Sequence, residues 1–203
     1  MKSKTLPGYC TSGRRLEELG GIVVHYFSCS NVDPDNAHDL HACWNLFCDL
    51  NVPRLEREYY MRTDNWPDER MFASAHVLIG RDGEVWKLAD FDKQTYHAGR
   101  SIMNGKPHCN RWAIGVELVG GPTTGFTKEQ YQELAKVCVD LGVDKRWIAG
   151  HDTVRWAAIQ AGAATKQKND PSGRSDGMGR NFDWGLLFEL MDARRTPASQ
   201  SPA

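Results

Sequence analysis

Ser74-Ala75-His76-Val77-Leu78-Ile79-Gly80-Arg81-Asp82-Gly83-Glu84-Val85-Trp86-Lys87-Leu88 reads as two short strands, 74–79 and 84–88, joined by a tight turn. Asp-Gly is a strong hairpin signal because both central positions can take positive φ. An antiparallel pair here makes the sheet mixed rather than purely parallel. Working outward, residues 22–27 are apolar and β-rich, which predicts a buried strand. Residues 112–119 and 147–150 read as two more strands. Helical patterns alternate with these. Asn36 can cap a helix to about Leu50, with Leu40, Cys43, Trp44 and Phe47 on one face and Pro53 beyond its end. Thr127 and Gln130 form a capping box for a helix to about Leu141, with Leu134, Val137 and Cys138 in its apolar stripe. Asp183 caps a last helix carrying Leu186, Leu187, Leu190 and Met191. Strands interleaved with helices predict an α/β fold: a single domain with a mixed central β-sheet flanked by helices.

The 203 residues suit one domain with a sizeable core. Residues 1–20 are rich in turn residues and charges and are expected to be an N-terminal extension over the surface. The domain proper is expected at 21–193, and the polar tail 194–203 is expected to be disordered. A net charge of −1 offers no electrostatic case for binding nucleic acid. No apolar run reaches the length of a membrane span, so membrane insertion is not expected. Met1 to Pro7 is basic but has no apolar core of a signal peptide, which predicts a cytoplasmic location. Six cysteines, at 10, 29, 43, 48, 109 and 138, form no CxxC pair. They read as small buried apolar residues in a reducing compartment, and Cys29 lies close to His25 in sequence.

Three separated residues could close on one metal. His25 follows Ile22-Val23-Val24, His151 follows Trp147-Ile148-Ala149-Gly150, and Asp170 stands in Lys168-Asn169-Asp170-Pro171. Two imidazoles and a carboxylate are a common ligand set for catalytic zinc, with a fourth position for water. Each histidine is expected where a strand hands over to a loop, so the cleft would sit at strand ends. A histidine in such a place also serves often as a buried structural residue. Glu117, in the apolar strand Ala113 to Val119, is a candidate general base whose desolvation would raise its pKa. The alternative is a strand-edge carboxylate facing solvent. His76, on a central strand, would orient the site, and His97, in Tyr96-His97-Ala98-Gly99, would line the cleft; either could be purely structural. Arg111 could meet a peptide carboxylate and Trp112 could form an aromatic wall for sugar or peptide. His38 and His41, three apart on the expected first helix, read as a solvated face.

The segments Ser74 to Ile79, Phe91-Asp92-Lys93, Tyr96 to Gly99, Ile114 to Leu118, Phe126 to Tyr131, Gly150-His151-Asp152 and Lys168 to Pro171 come in a telling order. In that order they resemble the zinc-dependent type 2 N-acetylmuramoyl-L-alanine amidases over roughly residues 20 to 192. Cytosolic anhydro-muramyl peptide amidases and many phage endolysins belong to that family, and peptidoglycan recognition proteins share its fold. The resemblance implies zinc (Zn2+) as cofactor, His25, His151 and Asp170 as its ligands, and Glu117 as general base. Its Lys-x-Asp-Pro pattern selects Lys168, rather than the nearby Lys166, to face the developing oxyanion. With a substrate of sugar and peptide, His76, His97, Arg111 and Trp112 are the expected substrate-binding residues. Some phage members use a tyrosine on the strand matching 74–79; Ala75 stands there instead, which leaves the proton transfer to Glu117.

The implied reaction is hydrolysis of the amide between N-acetylmuramic acid and L-alanine in peptidoglycan or muropeptides. The chain departs from close family members between His151 and Asp170, where Thr153 to Asn169 is long, and again at the glycine-containing loop 172–180. These phage-like insertions favour an endolysin that reaches the wall with a separate permeabilising partner. A cytosolic enzyme recycling anhydro-muropeptides is the alternative. Two further classes are a non-catalytic peptidoglycan-binding module and a phage regulator with a host-protein partner. Binders of the first class commonly lack a metal ligand, whereas this chain keeps the full set.

Overall fold

The computed structural model describes residues 2–3, 11–27, 40, 74–120, 124–164 and 182–196. The expected helix from Asn36 to Leu50, apart from Leu40, lies outside these residues, as do residues 54–72, Lys168, Asp170 and the loop 172–180.

Strands β1 (Lys2–Ser3), β3 (Gly21–Phe27), β4 (Val77–Ile79), β5 (Val85–Lys87), β9 (Ala113–Val119) and β10 (Ile148–Gly150) form the central sheet. Their order is β1-β5-β4-β9-β3-β10. Only the β4–β5 pair is antiparallel, so the sheet is mixed and the hairpin is the reason. The turn differs from the expected one. Among non-glycine residues Asp82 does not have positive φ, and Gly83 alone of the Asp-Gly pair does, at 84°. Gly83 N–H donates to the Gly80 carbonyl and Gly80 N–H to the Glu84 carbonyl. This is an ordinary tight turn followed by one left-handed glycine.

The N-terminal stretch set apart by sequence joins the fold at two places. β1 pairs with β5 at the sheet edge, and β2 (Thr11–Arg15) pairs antiparallel with β6 (Lys93–Thr95). A second small ribbon pairs β7 (Ile102–Met103) with β8 (Lys106–Pro107).

Alternation along the strands gives the sheet two different faces. Ile22, Val24, Val77, Ile79, Ile114, Val116 and Leu118 point to one side. There they pack on Leu134 and Cys138 of helix α1 (Lys128–Asp140) and on Leu187 and Met191 of helix α3 (Trp184–Arg195). Both helix starts follow the sequence. Thr127 and Gln130 make the reciprocal capping box, and Asp183 accepts from the Leu186 N–H. Gln130 is fully buried and also donates to the Ile79 and Val119 carbonyls, which ties α1 to two strands. Helix α3 runs through Arg195, so the stretch expected as tail from 194 begins inside a helix.

The opposite face is covered by helix α2 (His151–Gln160) and by residues 96–112. Val23 and Ala113 meet Ala98, Met103, Cys109, Trp112 and Val154 there. Sequence reading placed a loop after β10; α2 begins there at once, with Gly150 in the N-cap position. Cys109 and Cys138 are buried free thiols, and burial pushes them up to about 11 and about 12.

Candidate metal centre

The parallel register of β3 and β9 sets His25 opposite Glu117, and β4 sets Leu78 on the other side of Glu117. Paired residues on neighbouring strands point to the same face, so His25 and Glu117 stand side by side on the loop-covered face. β10 runs parallel to β3 with Gly150 opposite Val24. The next residue, His151, therefore arrives beside His25 as the first residue of α2. His25 lies within β3, two residues before its end, rather than at a strand-to-loop junction.

The two imidazoles face one another through their Nδ1 atoms at 3.0 Å, and both rings are buried. Zinc–nitrogen bonds of about 2.0–2.1 Å in tetrahedral geometry set two ligand nitrogens about 3.3 Å apart. The separation and the donor chemistry therefore fit two ligands of one small cation. Among the described residues no group of three His, Cys, Asp or Glu forms a complete cage. The third expected ligand, Asp170, and the expected oxyanion residue, Lys168, lie outside the described residues. Glu117 is buried at the register position next to His25.

Behind this pair sits a second layer of histidines. His97 is buried; its Nδ1 lies 3.2 Å from His25 Nε2, and its Nε2 lies 3.1 Å from the Ala113 carbonyl oxygen. Its ring rests directly over Gly115, where an added Cβ would come 2.5 Å from His97 Cγ. Asn110 Oδ1 accepts from the backbone N–H groups of His97 and Ala98, which fixes the loop that carries the ring. Burial holds the His97 imidazole well below its usual range.

His76 is fully buried. Its Nε2 donates to the Lys93 carbonyl at 2.8 Å, and its Nδ1 accepts from the Gly115 N–H and lies 3.1 Å from Thr95 Oγ1. Burial pushes its pKa down to about 4, against the opposing pull of the Lys93 carbonyl. His76 and His97 are both buried, and His97 reaches His25 directly.

Arg111 and Trp112 stand at the other end of β9, and Trp112 differs from expectation. They precede β9, whereas Glu117 lies four residues beyond its first residue, Ala113, about 13 Å at a rise of 3.3 Å per residue. Trp112 is a core residue: its Nε1 donates to the Pro107 carbonyl, and its ring packs over Gly21, where a Cβ would collide with it. No aromatic wall is available from that ring. Arg111 is half-exposed and lies 3.7 Å from Glu17. Sequence reading missed Gly115 as the seat of His97 and Asn110 as its clamp; the closeness of Asn110 to Cys109 and Arg111 in a short 3-10 turn gives no pattern that points back to residue 97.

The fold defines an α/β domain of the amidase type. The chain belongs to the N-acetylmuramoyl-L-alanine amidase family, which matches residues 17–173. It is 38% identical over 126 residues to the 1,6-anhydro-N-acetylmuramyl-L-alanine amidase AmpD of Citrobacter freundii, covering 62% of this chain and 59% of that protein. With the AmpD of Escherichia coli K12 it shares 36% over 127 residues, 61% of each chain. The chain thus matches about three fifths of the length of these curated relatives. The crystal structure of a selenomethionine AmpD derivative superposes with a TM-score of 0.63 at 25% identity, covering 93% of this chain and 94% of that one.

Proposed function

We propose that this protein is a zinc-dependent amidase that hydrolyses the bond between N-acetylmuramic acid and L-alanine in soluble anhydro-muropeptides. The observation that carries the reading is the buried Nδ1-to-Nδ1 pair of His25 and His151, with Glu117 next in register. His25, His151 and Asp170 would hold the ion. Bound zinc supplies Lewis acidity, which makes water a nucleophile at neutral pH and polarises a carbonyl. Glu117 takes the proton of the attacking water and returns it to the departing alanine nitrogen. Lys168, selected by the Lys-x-Asp-Pro pattern, would stabilise the oxyanion that develops on the scissile carbonyl. Cleavage leaves a free lactyl carboxylate on the sugar and a free peptide amine.

The choice of substrate rests on the relatives. Those at 36–38% identity carry the anhydro-muramyl amidase name, which supports the soluble substrate over the wall-lysis role that the insertions suggested. Among the described residues no helix is long and apolar enough to cross a membrane. The test is mass spectrometry of products from soluble anhydro-muropeptides and from purified sacculi, with and without prior chelation. Fast release of stem peptide from the soluble substrate, lost on chelation, is expected. Cleavage of sacculi alone would restore the endolysin reading. Binding without any cleavage would leave a peptidoglycan-binding module.

A further inference from the structure

A neutral imidazole carries one proton, and which nitrogen holds it decides which nitrogen can bind a metal. For His25 the neighbouring His97 bears on this choice. The Ala113 carbonyl can only accept a hydrogen bond. His97 Nε2, 3.1 Å away, must therefore carry the proton. The neutral ring then presents a bare Nδ1. That atom lies 3.2 Å from His25 Nε2, which becomes the donor. His25 Nδ1 is left as a lone pair, and it faces His151 Nδ1 at 3.0 Å.

We infer that His97 is a positioning residue for the metal centre: by accepting the Nε2 proton of His25, it locks that imidazole in the tautomer whose Nδ1 lone pair faces His151. The inference rests on the reading of His25 and His151 as metal ligands. Two features hold the relay in place. Gly115 leaves room for the His97 ring, since any larger residue would strike it, and Asn110 fixes the backbone at 97 and 98. His76 in turn accepts from the Gly115 N–H, so the strand position beneath the ring is itself pinned. Outer partners of metal-binding histidines fix tautomer and ring orientation and typically contribute 10–100-fold to metal affinity.

The test uses the whole protein in two measurements. Two-bond nitrogen–hydrogen correlation spectra of the metal-free protein, labelled in its imidazole nitrogens, report each tautomer. Nε2–H is expected for both His25 and His97. Zinc affinity is then measured by competition with a chromogenic chelator. His97→Phe, which fills the space but accepts no hydrogen bond, is expected to weaken zinc binding about 10–100-fold. His97→Gln is expected to recover much of that loss, because its amide oxygen can accept from His25 while its nitrogen donates to Ala113. An Nδ1–H tautomer at His25 in the wild type would overturn the inference even if every variant failed to fold. Unchanged zinc affinity in His97→Phe would overturn it too, as would equal loss in both variants. A wild type that shows the expected tautomers yet binds no zinc would overturn the metal reading, and the role of His97 toward a metal with it; the spectra and the titration thus tell the two failures apart.

Discussion

The two faces of the central sheet are built by different rules. The face under α1 and α3 is apolar throughout, and its partners are two capped amphipathic helices. The face under α2 and residues 96–112 carries His25, Glu117, His76 and the ring of His97, with its apolar contacts confined to a smaller cluster. Both faces use the same strands, and neighbouring residues of β3 serve opposite ends: Val24 packs in the larger core while His25 meets His151. One face supplies stability, and the rigid sheet lets the other hold buried polar groups in register.

This contrast can be broken most severely at the paired imidazoles. His25→Ala or His151→Ala should abolish both bound zinc and amidase activity, since each removes one of the three proposed ligands. Metal analysis beside an activity assay checks it; activity that survives in either variant refutes the assignment. Next comes the proton carrier. Glu117→Gln should retain zinc and lose about 10²–10⁴ in turnover. Lys168→Ala should also retain zinc and lose about 10²–10³, while Lys166→Ala stays near wild type. The reverse order of the two lysines would shift the register of that loop.

Changes on the apolar face should behave differently. Leu134→Ala or Leu187→Ala, both at fully buried positions, should cost about 2–5 kcal/mol of stability. Zinc affinity of the fraction that stays folded should not change. Denaturant unfolding together with chelator competition separates the two effects, and a parallel loss of zinc affinity would mean that the faces are coupled. The smallest effect is expected at the helix start. Thr127→Ala removes half of the capping box and should cost about 1 kcal/mol, with no change in metal binding.

The apolar face was the more legible one. Its strands alternate, its helices have stripes at helical spacing, and Thr127, Gln130 and Asp183 are local signals read within three residues of their targets. On the other face His25, Glu117 and His151 could be named because each adjoins or lies within an apolar run. The contacts that their neighbours make could not. His97 meets Ala113 16 positions later and His25 72 positions earlier, distances that no periodic pattern spans. Trp112, next to Asn110 and Arg111, looks like a surface aromatic; Gly21, without a Cβ, is what admits it to the core. Helix α2 was missed because its buried apolar side shows little more than Val154 and Ala158, while Trp156 is partly exposed.

The proposed function requires that the polar face hold one catalytic zinc. It is tested most directly by adding zinc stepwise to the metal-free protein while product release from a soluble anhydro-muropeptide is followed by mass spectrometry. The account predicts no turnover without metal, a linear rise, and a plateau at one zinc per chain. Full turnover by the metal-free protein, or a plateau that His25→Ala leaves in place, would contradict it.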